Sequence, residues 1–145
     1  MLKRECVGGI VFFADTVLLI KNDKDEWSFP KAVIRNVESE ATTVAVDCVM
    51  QETQVKAYIL SRAGKTNYEF YSITRKKPVA NSIEWYIMSA QTDDATPNLA
   101  GGIMEAVFVP VAEALEQVTY TQDRSLLAVA YQKYCELNER EQARQ

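Results

Sequence analysis

The sequence predicts an α/β (α+β) fold in which a mixed β-sheet is packed between α-helices. Three observations carry this reading. Runs rich in Val, Ile, Phe, Tyr and Trp are bounded by turn residues, one amphipathic segment with helical spacing interrupts them, and a second helical pattern closes the chain. In order they read as two strands, a helix, four strands and two helices, the pattern of a sheet with helices on its faces.

The elements follow one by one. Cys6 to Phe13 (CVGGIVFF) and Thr16 to Lys21 (TVLLIK), joined by Ala14-Asp15, predict a β-hairpin. The polar stretch Asn22 to Glu26 breaks the pattern. Trp27, Phe29 and Pro30 form a short extended piece, because Pro30 biases Phe29 away from helix. A loop is expected from Lys31 to about Glu38. Between Ser39 and Thr53, Ala41, Val44, Ala45, Cys48, Val49 and Glu52 recur at helical spacing, with Glu40, Thr43, Asp47, Met50 and Gln51 largely on the other side. Ser39 is the expected N-cap, and Glu40 suits the positive end of the helix dipole. Val55 to Leu60, Tyr68 to Ile73, Ser82 to Ala90 and Ile103 to Val109 read as four further strands. Pro110 introduces a short helix, Val111 to Val118, and Gln122 to about Arg140 reads as a longer one whose buried stripe is Leu126, Leu127, Val129, Ala130, Tyr134 and Leu137. Residues 139–145 are polar and expected to fray. No repeat, low-complexity segment or linker divides the chain, so one domain over 1–145 is expected.

Composition narrows the function. Apolar residues make up 48% and charged residues 25% of the 145 residues, as in an ordinary folded chain. The net charge of −4 supplies no basic field for wrapping nucleic acid. With no His, neither Ser-His-Asp nor Cys-His catalysis nor a His-containing zinc site can be built. Cys6, Cys48 and Cys135 form no C-x-x-C pair and read as structural thiols in a reducing compartment. The longest apolar run, Gly8 to Ala14, is far short of the roughly 20 residues a spanning helix needs. Lys3, Arg4 and Glu5 precede that run without a cleavage pattern behind it, so a soluble, cytoplasmic protein without a membrane partner is expected.

Several phrases resemble the Nudix (MutT-like) hydrolase family of metal-dependent pyrophosphohydrolases. GGIVFF, VLLIK and WSFPKA are similar to its opening strands and to the W-x-F-P-K-G phrase that heads its signature. ESEATTVAVDCVMQETQV stands in the place of its signature helix, and MEAVFVPVAEALEQVTY with TQDRSLL is similar to its late strand and closing helices. The family signature, G-x5-E-x7-R-E-U-x-E-E-x-G-U with U a bulky apolar residue, clusters carboxylates around divalent metal. Acids three and four apart on a helix share a face, and Mg²⁺ prefers oxygen ligands. The metal neutralises a diphosphate and activates water.

This chain departs from that signature. Anchored at Lys31-Ala32, Ala32 replaces the first Gly, Glu38 matches the first Glu, and the helical run falls on Val46 to Gln54 with Asp47 its surviving acid. Anchored on Gln51 to Val55 instead, Glu52 survives, Gln51 and Cys48 replace Glu, and Asp47 replaces the Arg. Both registers stand at this point, and neither restores three carboxylates. The resemblance therefore implies Glu38, Asp47, Gln51 and Glu52 as candidate metal ligands. It further implies Asp47, Glu52 and Glu105 as candidate catalytic groups and Lys31 and Arg75 as candidates for holding substrate phosphate.

Each has an ordinary alternative. Acids at a helix start satisfy the dipole, Asp47 suits a solvated helix face, Glu105 can simply end a strand, and Lys31 and the Arg75-Lys76-Lys77 turn can be solvated. The aromatics Tyr68, Phe70, Tyr71, Trp85 and Tyr86 could stack a base, though alternating aromatics also build sheet cores. The leading expectation is a domain that binds a nucleotide or other diphosphate-type small molecule with hydrolysis weakened or lost. The first alternative is a working Mg²⁺- or Mn²⁺-dependent pyrophosphohydrolase using Glu38, Asp47, Glu52 and Glu105. The second is an interaction module that uses its acidic surface or final helix for a partner or a homodimer, without a small ligand.

Overall fold

β1 (Leu2–Phe13) organises the sheet, because Cys6 through Phe12 are buried without a break and such a run must be covered on both faces. The structure, a computed structural model, describes residues 1–36 and 38–143. One side of β1 pairs in parallel with β6 (Lys77–Ala90) from Leu2↔Val79 to Phe12↔Ser89. The other side is shared. Cys6 to Gly8 pair antiparallel with β4 (Lys31–Val33), and Phe12 and Phe13 pair with β2 (Thr16–Lys21). β2 in turn holds β3 (Trp27–Ser28) and β7 (Glu105–Pro110), while β5 (Ala57–Ser72) folds back antiparallel on β6.

The pleat sends alternate residues of β1 and β6 to opposite faces. Ile10, Phe12, Ile83, Trp85 and Ile87 meet α2 (Val111–Gln117) and α3 (Thr121–Ala143) through Val111, Ala114, Leu127, Ala130 and Tyr134. On the opposite face Val7, Val11, Tyr86 and Met88 meet α1 (Ala41–Thr53) through Ala45 and Val49. The mixed sheet between helices is the expected one. No helix among the described residues is long and apolar enough to cross a membrane.

Several boundaries differ from the sequence expectation. β1 begins at Leu2 instead of Cys6, because its polar start pairs with β6. The expected loop after Pro30 contains β4, a strand too short to show a period. Val37, in the same expected loop, lies outside the described residues. Glu40, not Ser39, occupies the N-cap of α1, without a side-chain bond, while the Ser39 N–H donates to Asn36 O at 3.0 Å. The strands expected at Val55 to Leu60 and Tyr68 to Ile73 are one strand, whose register shifts at Leu60 and Ala63 absorb the interruption. α3 continues through the segment expected to fray, as far as Ala143.

Gly8 is the position where a side chain is not tolerated. A Cβ there would lie 2.3 Å from the Trp85 ring and 2.7 Å from Pro30 O, and neither a buried indole nor a backbone carbonyl can give way cheaply. Gly8→Ala is therefore expected to lower the unfolding free energy by about 2–3 kcal/mol, the usual scale of core overpacking. Urea denaturation measures this directly, and an unchanged midpoint would show that Trp85 has room to move.

Candidate functional site

α1 ends at a defined point. Gln54 is left-handed (φ 59°), its N–H donates to Met50 O at 2.9 Å, and Val55 turns back into the core. The last carbonyls of the helix are taken by the segment that follows β6: Asn98 N–H donates to Glu52 O at 3.0 Å and Thr96 N–H to Thr53 O at 2.9 Å. Thr53 is fully buried, with its hydroxyl on Val49 O at 2.7 Å.

This end of α1 turns Glu52 inward. Its carboxylate accepts from the Cys48 thiol and from the Lys31 backbone N–H, yet Oε2 is buried without a partner of its own. Burial pushes the Glu52 pKa up to about 7, against the opposing pull of those two donors and of the Lys31 charge. The Cys48 thiol is held well above its ordinary range, first by burial and then by the neighbouring Glu52, so it is not a thiolate nucleophile.

Lys31 joins this pair to a cavity of about 580 Å³. Its Nζ lies 5.1 Å from the centre of the Tyr68 ring, and both residues line the cavity. The opposite wall comes from the turn before β3 and the start of α3. Asn22 Oδ1 accepts from the N–H of Lys24 at 2.8 Å and of Glu26 at 3.0 Å, and Asn22 Nδ2 donates to Glu26 Oε1 at 2.9 Å. The Tyr120 hydroxyl donates to Glu26 Oε2. A reciprocal pair closes the wall: Thr119 N–H donates to Trp27 O at 3.1 Å, and Trp27 N–H donates to Thr119 Oγ1 at 2.8 Å.

Tyr120 and Asn22 hold the Glu26 carboxyl below its usual range, and the Tyr120 phenol is correspondingly pushed up to about 12. Burial raises the Asp123 pKa, with Lys31 pulling it back. The cavity is therefore lined by three acidic residues, Glu26 and Asp123 and, at the rim from the other pleat of β5, Glu69, against one lysine, Lys31, with Tyr68 and Tyr120 as aromatic surface. It can accept N–H donors over most of its wall and an anion only beside Lys31.

Of the candidates named from the sequence, the structure brings together Lys31 and Glu52. Asp47 and Gln51 are exposed on α1, and Glu38 is exposed, its N–H on Asn36 Oδ1 at 3.0 Å. Glu105 is exposed and paired with Lys21 Nζ at 2.6 Å. Arg75 is exposed in the β5–β6 turn and does not line the cavity. Among the described residues no three His, Cys, Asp or Glu side chains gather where they could hold a metal ion. Sequence reasoning missed Glu26, Tyr120 and Asp123. The available signal was the run Tyr120-Thr121-Gln122-Asp123 at a helix start, where an acid is already expected for the dipole.

No protein-family profile matches the chain, and no curated protein matches its sequence. Solved structures do. A C. elegans Ap4A hydrolase in a binary complex superposes with TM-score 0.70 at 14% identity, covering 92% of this chain and 98% of that one. An ADP-ribose pyrophosphatase from Streptococcus suis gives 0.69 at 14% identity, covering 90% and 91%. The MutT protein of Methanosarcina mazei gives 0.68 at 15% identity, covering 92% and 96%. The chain has the Nudix fold. In this Nudix fold α1 stands where the resemblance placed the signature helix, and the 31–33 strand that follows Phe29-Pro30 lies against its C-terminal end through the contact of Glu52 with Lys31.

A pH dependence follows from Glu52. Its pKa is about 7 when folded against the 4.5 of a free glutamate, so between those values the folded state holds the extra proton and stability falls as pH rises. The full loss, at most about 3 kcal/mol, is reached above pH ~7. Glu52→Gln is expected to flatten this slope and to be the more stable protein at pH ~8. Urea melts of both proteins across this range measure the difference, and parallel curves would show that Glu52 ionises as freely as in water.

Proposed function

We propose that this Nudix-fold domain binds a nucleotide or other diphosphate-type small molecule in the cavity beside Lys31, with metal-dependent pyrophosphate hydrolysis weakened or lost. The observation that carries the reading is the meeting of the cavity and the signature helix at Lys31, whose side chain lines the cavity and whose N–H binds Glu52. The ligand's orientation follows from charge. Its phosphates belong at Lys31, and a head group rich in N–H donors belongs against Glu26 and Asp123.

The weakening rests on the donor set. The left-handed cap at Gln54 and the burial of Val49 and Val55 support the register anchored on Gln51 to Val55, because the signature's Gly and its two apolar positions then fall on those residues. In that register a protonated thiol, Cys48, and a neutral amide, Gln51, replace two carboxylates, and Glu52 itself ionises reluctantly. Charge count is a main determinant of affinity for a hard cation, so these residues do not fit a resident Mg²⁺ or Mn²⁺. The Ap4A hydrolase and the ADP-ribose pyrophosphatase that share the fold suggest the ligand classes to try first.

The test is a panel of ADP-ribose, diadenosine polyphosphates, NADH, nucleotide sugars and nucleoside triphosphates. Melting shifts are read without metal, and turnover by mass spectrometry with Mg²⁺ and then Mn²⁺. The expected result is a melting shift with at least one member, roughly halved or better by Lys31→Met, unchanged by Asp47→Asn, and no appreciable turnover. Metal-dependent release of a monophosphate that Asp47→Asn abolishes would make the chain a working pyrophosphohydrolase. A panel with neither shift nor turnover would sink both ideas.

A further inference from the structure

β5 is the last strand on its side of the sheet. Over its 16 residues it pairs only with β6, and among the described residues nothing pairs with its outer edge. Long edges of this kind are usually blunted by bulges, Pro or charge. The first part of β5 is treated in that way, by register shifts at Leu60 and Ala63 and by Lys133 Nζ, which holds Arg62 O at 3.1 Å. From Gly64 to Ser72 the strand runs without a shift and contains no Pro. Its end and the turn that follows are apolar and open, with Tyr71 62% and Ile73 85% exposed.

We propose that two copies of this chain pair through the outer edges of β5, antiparallel and two-fold symmetric about Asn67. The proposal is independent of the cavity's ligand. Opposed residues in an antiparallel ladder must lie on the same face of the sheet, and the pairing of β5 with β6 fixes those faces. With Asn67 on the axis, Lys65 of each copy meets Glu69 of the other, and Gly64 meets Phe70. Beyond the bulge at Ala63, Arg62 meets Tyr71, and every one of these pairs is matched in face.

The chemistry of the pairs agrees with this register. Lys65 and Glu69 are exposed, and among the described residues neither has an ion-pair partner within its own chain, so the dimer supplies two opposite-charge cross-strand pairs. Phe70 covers a position without a side chain, the way aromatics rescue glycine in sheets. Arg62 keeps its pair with Glu84 while its stem and charge lie near the exposed Tyr71 ring. Thr66, Tyr68 and Glu69 also line the cavity, so this pairing fastens one of its walls.

Two experiments on the full chain decide it. Light scattering at micromolar to sub-millimolar concentration should give a dimer. Glu69→Lys, which opposes two lysines, should give a monomer with an unchanged circular dichroism spectrum, and adding Lys65→Glu to it should restore the dimer. Asn67→Cys, on the axis and exposed, should cross-link to itself in mild oxidant, since directly opposed strand residues lie within disulfide reach. The unaltered chain, whose Cys6 and Cys48 are buried, serves as the control. A chain that stays monomeric at every concentration, a dimer indifferent to Glu69→Lys, or an Asn67→Cys protein that cross-links no more than the control would each overturn the proposal.

Discussion

The close approach of Trp85 to the backbone of β1 at Gly8 is the contact on which both the core and the site depend. Because Gly8 has no side chain, the indole can lie directly against β1 and Pro30 O can reach Gly9 N–H at 3.0 Å. The Phe29-Pro30-Lys31 segment is thereby fastened to the central strand, with Phe29 edge-on to Trp85 at 5.7 Å. Trp85 also reaches the other way, its Nε1–H donating to the buried Thr66 hydroxyl at 2.8 Å, which ties β5 to the same point. Lys31 and Tyr68 enter the cavity from the two segments that this indole holds. One wall of the cavity is thereby fixed by the packing around a single buried side chain.

Glu52 shows what a fold keeps against its own stability. It stands in the last turn of α1, where the helix dipole disfavours negative charge, and burial adds to that cost. The donors it has, a thiol and one backbone N–H, are too few to balance a half-buried carboxylate, and its buried Oε2 goes without. A core built for stability alone would place an apolar residue here, since replacing buried polar groups by well-packed apolar ones is often neutral or favourable. The surrounding helix is otherwise well supported, with its carbonyls capped from a distant segment and Thr53 satisfied internally. The strain is local to one acid.

How much of this was legible in the sequence depends on length scale. β1, β2, β7 and the three helices announce themselves because each has enough residues for a period or an apolar run to emerge. β4 does not, since Lys31–Val33 is held by its register with Cys6 to Gly8 and not by any pattern of its own. β5 was read as two strands because Gly64 and the charged residues around it look like a break. The bulges that turn them into continuous strand are a property of the pairing with β6. For the site, Lys31 and Glu52 were legible through the phrases around them. Glu26 and Tyr120 were not, because their hydrogen bond joins residues 94 apart in sequence across two connections with no internal pattern.

The charge of the cavity then constrains what its function can be. A nucleoside diphosphate brings negative charge into a space already lined by Glu26 and Asp123, with Glu69 at its rim, in a chain of net charge −4. Charges a few ångströms apart near a protein surface interact by several kcal/mol at an effective dielectric of ~20, so the phosphates cannot settle among those acids. Only the end at Lys31 is open to them. Glu52 lies beneath that end, and its high pKa means that it is partly neutral there at neutral pH, which spares the lysine a competing charge. The Cys48 thiol beside Glu52 is neutral as well, so the protein beneath Lys31 adds no second negative charge at the one end of the cavity where an anion could settle.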